Sequence, residues 1–165
     1  MKLNIDVSRQ GNFIFAILMI HFVFFGFICN IYEYNIGLSI LYLNQVFFDF
    51  SLLPIFPWVV PNGLGFLSPL ILFLIIFIMA YREPFFEYAV RNSIWMTLLI
   101  IIQSWIWYWF INGFDLVQIG IFFTRIEGYL TILIILGINV VSAFTASYLK
   151  IKYRQSITKH KEIIL

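Results

Sequence analysis

His21 is the side chain best placed to do chemistry. It sits near the middle of an apolar run from about Phe13 to Tyr32. An ionisable group inside such a run is a functional hypothesis by default. A neutral imidazole can ligate haem iron or bond a neighbouring helix. A bis-histidine haem needs a second histidine, and the other one, His160, lies in the charged C-terminal tail. The chain is therefore expected to hold no cofactor of its own. His21 becomes a haem ligand only if a partner chain completes the site, and the plainer expectation is a hydrogen bond to an adjacent helix.

Other chemistries find less support. No cluster of His, Cys, Asp and Glu has metal-ligand spacing, so no metal site is expected. No GxSxG, HExxH or phosphate-binding glycine loop is present. A nucleophile would have to recruit its base from mid-run, so no catalytic residues are assigned and no enzyme is expected. Cys29 is the single cysteine. It can form neither an internal disulfide nor a CxxC pair, and it reads as a small hydrophobe.

The clearest pattern is Asn139, Ser142, Ala143, Ala146 and Ser147, which follow the spacing i, i+3, i+4, i+7, i+8. This is one small and polar helix face. Small residues let backbones approach, and Asn or Ser bonds across the contact. Gln103 and Ser104 are the partners expected for Asn139.

These residues must be carried by membrane helices. The 165-residue chain is 62% hydrophobic and 21% aromatic but only 11% charged. A soluble domain is about one-quarter charged, so a water-facing surface cannot be made from this composition. The aromatic content equally excludes disorder. A span needs roughly 20 apolar residues. Four stretches qualify, at about 13–32, 64–81, 93–111 and 129–149. The expectation is a single all-α integral membrane domain over 1–165.

Charge sets its orientation. Lys2, Arg9, Arg82, Arg91, Lys150, Lys152, Arg154, Lys159 and Lys161 fall on one side of a four-span chain, and only Arg125 on the other. The positive-inside rule then places both termini inside. A fifth span over 36–53 would put the five-cation tail outside. That segment instead carries a polar stripe, Asn35, Ser39, Tyr42, Gln45 and Asp49, on one helical face. An amphipathic helix at about 35–50, lying in the outer interface, is expected. A second interfacial helix is expected in the apolar outer loop between Asn112 and Gly128. Trp95, Trp105, Trp107, Tyr108 and Trp109 read as aromatic belts.

The basic tail 150–165 begins with Lys150, Lys152 and Arg154, placed to meet anionic lipid headgroups. Nucleic-acid binding is not expected. The richness in Phe, Ile, Tyr and Asn reads as AT-rich coding, which suits the plasma membrane of an AT-rich microbe or an organelle inner membrane. The functional expectation is a non-catalytic accessory or scaffold subunit of a larger membrane complex, with other membrane subunits as partners. A respiratory or other energy-transducing assembly is the concrete form. A small oligomeric transporter or channel component is the alternative.

Overall fold

A computed structural model describes residues 7–32, 67–124 and 126–164. Among them every regular element is a helix, and no strand occurs. The first helix starts as α1 (Val7–Leu18) and continues without a break as a π-helical segment, Met19–Tyr32. Then come α2 (Leu67–Arg82), α3 (Phe86–Asn112), a short α4 (Val117–Thr124) and α5 (Ile126–Ile164). The amphipathic helix expected at 35–50, with Glu33 and Asp49, lies outside the described residues.

Two stretches are long and apolar enough to cross a membrane, Phe86–Phe110 in α3 and Gly128–Ile157 in α5. The apolar stretches of the first helix and α2, Gln10–Gly26 and Pro69–Arg82, are shorter. At 1.5 Å per residue, α2 is about 24 Å long, less than the roughly 30 Å of a hydrocarbon core. Pro69 stands in its first turn, where a missing N–H breaks no ladder bond.

The α2–α3 link is tighter than the loop expected between about 82 and 93. It comprises only Glu83, Pro84 and Phe85. Pro84 disfavours helical backbone at the residue before it, and α2 stops there with Glu83 N–H on the Ala80 carbonyl at 3.1 Å. Phe85 is extended, and α3 begins at once with Glu87 in its first turn, where a negative charge suits the helix dipole. Arg91, one turn on, lies 4.5 Å over the Tyr88 ring.

At the other end of α3 the chain turns through Gly113, whose φ of +86° is cheap only for glycine. The Asp115 carboxylate accepts the Val117 N–H at 2.8 Å, which caps α4. Asp115 thus serves as a cap. Phe122 of α4 is buried against Trp105 with ring centroids 5.7 Å apart.

The core sits where α5 lies along α2 and α3, with the first helix closing over α2 and α3 from the far side. Its larger part is Ile, Met and aromatic: Ile20, Phe24, Phe25, Ile76, Met79, Met96 and Ile100, among others. Near the α2–α3 link it narrows to alanine, with Ala80, Ala89, Ala143 and Ala146 in one buried group. Large apolar side chains, including Phe22, Leu74, Trp95 and Phe144, point outward.

Gly128 fixes the α4–α5 corner. A Cβ there would collide with the Phe122 carbonyl oxygen, a backbone atom that cannot swing aside. Gly128→Ala is expected to cost about 1–3 kcal/mol, the usual range for overpacking. Gly137→Ala, with open space around its position, is expected to be neutral or slightly stabilising. Denaturing-detergent titration of the two variants checks the contrast.

Candidate functional site

The small and polar face of α5 is entirely interior. Asn139, Ser142, Ala143, Ala146 and Ser147 are all buried, as are Gln103 and Ser104 on α3. The pairing within this set differs from the expected one. Asn139 Nδ2 donates to Thr97 Oγ1 at 2.9 Å and to the Ser93 carbonyl at 3.5 Å. It does not meet Gln103 or Ser104. The reason is register: α3 and α5 run antiparallel, so Ser104, two turns beyond Thr97, stands at the level of Ile132 rather than Asn139.

Ser104 Oγ turns back onto its own helix, donating to the Ile101 carbonyl at 2.6 Å. Gln103 reaches the opposite way, to the first helix, where Nε2 donates to the Ile17 carbonyl at 3.4 Å. Ser142 Oγ donates to the Phe73 carbonyl of α2 at 2.7 Å. The α5 face is therefore tied to α3 through Asn139 and to α2 through Ser142. Ala143 and Ala146, which follow them on the same face, are small enough to allow the backbones to come that close.

Sequence reasoning missed several members of this network. Asn12 Nδ2 donates to the Met79 carbonyl at 2.9 Å, joining the first helix to α2. Trp107 Nε1 donates to the His21 carbonyl at 3.2 Å, joining α3 to the first helix. Ser93 and Thr97, one turn apart on α3, supply the acceptors for Asn139. Their i, i+4 spacing was a readable signal, since it repeats the logic used for α5. Trp107 was not distinguishable from the belt aromatics around it.

The recurring acceptor is a helix carbonyl. Each carbonyl oxygen has two lone pairs and its own ladder bond uses one. A donor arriving from the next helix takes the second, beside the ladder bond. Asn12 Oδ1, Gln103 Oε1 and Asn139 Oδ1 are buried acceptors that meet no donor among the described residues.

His21 is half-buried. Its ring centroid lies 5.3 Å from that of Trp107, with the planes tilted, and 5.0 Å from that of Phe22, edge-on. The backbone of His21, not its imidazole, carries its described interhelical bond. Among the described residues no group of three or more His, Cys, Asp or Glu is placed to hold a metal ion.

The three tail cations do not behave alike. Lys150 turns inward: Nζ donates to the Glu83 carbonyl and stands 5.9 Å over the Tyr81 ring. Glu83 is buried, with Oε1 accepting Asn92 Nδ2 at 3.2 Å. Lys150 therefore fastens α5 to the α2–α3 link rather than standing ready for a headgroup. Lys152 and Arg154 are exposed. The sequence pattern grouped all three because it carries no helix rotation past the span's end.

No protein-family model, curated protein or solved structure matches the chain.

Two substitutions separate steric fit from hydrogen bonding on the α5 face. Ala143→Leu is expected to destabilise by about 1–3 kcal/mol, because Ala143 is fully buried in one group with Ala80, Ala89 and Ala146. Asn139→Leu is expected to cost less, near the roughly 0.6 kcal/mol average of membrane hydrogen bonds. Thermal unfolding in a mild detergent gives the order, and an Asn139 loss exceeding the Ala143 loss refutes it.

Proposed function

We propose that the chain is a four-span, non-catalytic accessory or scaffold subunit of a larger membrane complex, with both termini inside. The observation that carries this reading is the use made of the buried polar side chains. Asn12, Gln103, Trp107, Asn139 and Ser142 each hold one helix to another. They are distributed along the bundle rather than gathered around one point where a substrate would react. A small, internally braced bundle with an apolar exterior is suited to packing among other membrane subunits.

The four-span topology rests on charge. With nine of the ten Lys and Arg on one side, the arrangement satisfies the positive-inside rule. An energy-transducing assembly in an AT-rich microbe's plasma membrane or an organelle inner membrane is the concrete setting. Lys152 and Arg154 suit contact with anionic headgroups there.

A transporter or channel component is the second reading. Asn139 Oδ1 favours it, as a fully buried acceptor at membrane depth that meets no donor among the described residues. Polar groups at that depth often mark transport paths.

Purification of the full chain in a mild detergent, with mass spectrometry of what accompanies it, separates these readings. A defined set of other membrane subunits in fixed ratio is expected. A pure homo-oligomer supports the transporter instead. For topology, Cys29 is first replaced, and cysteines at Ser156 and Asn62 are labelled with an impermeant reagent. Reaction from opposite faces is expected, and reaction from the same face overturns the four-span arrangement.

A further inference from the structure

The first helix changes its winding part-way along, and the place where it changes is held by two side chains of α3. From Met19 to Tyr32 it is π-helical over 14 residues. π-Helix usually occurs as single-turn bulges, frequently at functional positions. Gln103 and Trp107 lie one turn apart on α3. They donate to the carbonyls of Ile17 and His21, one turn apart on the first helix. These two carbonyls bracket Met19, where the winding widens.

We propose that the first helix is a two-register element, and that the Gln103–Trp107 pair selects the wide register. A side chain inserted into the i→i−4 ladder is a recognised cause of helix distortion. Here two donors meet carbonyls four residues apart, on either side of Met19, and the helix from Met19 on is π-wound.

The sequence of the helix supports the same conclusion. Its inward positions Asn12, Ala16, Ile20 and Phe24 advance strictly by four. In a helix of 3.6 residues per turn such a stripe drifts by about 40° per step. Widening the second half turns the drift back, so that Phe24 and Phe25 stay buried beside Ile20. Gly26 completes the seat. A Cβ there would stand 3.3 Å from Trp107 Cζ2, tight against the indole that makes the second bond.

The wide register is not fully satisfied. Gln103 Oε1 is buried and meets no donor among the described residues. An unmet buried acceptor lowers the stability of the state that contains it. Return to α winding turns the residues after His21 relative to those before it, and re-aims the outer half of the helix. The device lies within the chain and does not depend on what the chain assembles with.

Cys29, the single cysteine, lies in the π segment and reports on this rotation. The full chain is placed in lipid nanodiscs with a nitroxide on Cys29. The reading is the ratio of its accessibility to oxygen and to a water-soluble nickel chelate. Gln103→Leu combined with Trp107→Phe removes both donors. Thr97→Val, which instead removes the partner of Asn139, is the control for loosened packing. The expected result is that the double variant shifts the ratio beyond anything Thr97→Val produces. A folded double variant with the wild-type ratio overturns the proposal.

Should the double variant fail to fold, Trp107→Phe alone is read in the same way, and an unmoved ratio counts equally against it. A second measurement needs neither donor changed. Nitroxides are placed singly at positions 22–32 in a Cys29→Ser background, and accessibility is plotted against position. A period longer than that of an α-helix is expected, and a 3.6-residue period overturns the proposal.

Discussion

Asn139 is fully buried at the contact of α3 and α5, and its amide carries two hydrogens that must both be placed. In a low-dielectric interior an unmet donor costs far more than in water. Thr97 Oγ1 and the Ser93 carbonyl take one each. That requirement sets the relative height of the two helices. Once Asn139 is level with Thr97, Ala143 and Ala146 fall beside Ala80 of α2 and Ala89 of α3, and Lys150 arrives at the Glu83 carbonyl.

The same economy recurs throughout the bundle. α-Helices have few backbone groups to offer one another, since the ladder uses each N–H. They retain the second lone pair of every carbonyl, and Asn12, Gln103, Trp107 and Ser142 all use it. The bonds of Asn12 and Ser142 tolerate small shifts along the helix, because carbonyls recur at every residue. Asn139 does not share that tolerance, since one of its acceptors is a side-chain hydroxyl. The bundle thus combines one strict register point with more forgiving ones.

Much of this was legible in the residues. The helical character of the chain follows from apolar runs with almost no charge. The inward face of α5 follows from the spacing of Asn139, Ser142, Ala143 and Ala146, because burial on a helix is periodic. The partner of Asn139 was not legible. Which residue of α3 meets it depends on how far one helix slides along the other, and no local pattern encodes that. Lys150 shows the same limit: its charge was plain, but its inward rotation depends on the position of Glu83. The expected spans at 64–81 and 93–111 left 82–92 between them, but Glu87 and Arg91 there are a favourable helical pair, and α3 begins at Phe86. The wide winding of Met19–Tyr32 had a trace in the four-residue advance of Asn12, Ala16, Ile20 and Phe24. That advance became interpretable only once Gln103 and Trp107 were seen to face it.

The unbroken length of α5 has a geometric consequence. Its 39 residues make a rod of about 58 Å, roughly twice the thickness of a hydrocarbon core. Its anchor at Glu83 marks where the bundle ends, and the helix runs on to Ile164. At 1.5 Å per residue the backbone at Lys159 to Lys161 stands about 15 Å past Lys150. The terminal turns therefore act as a spacer. Anything attached to them is held at a fixed stand-off from the bundle, at a distance set by residue count rather than by the slack of a flexible tether.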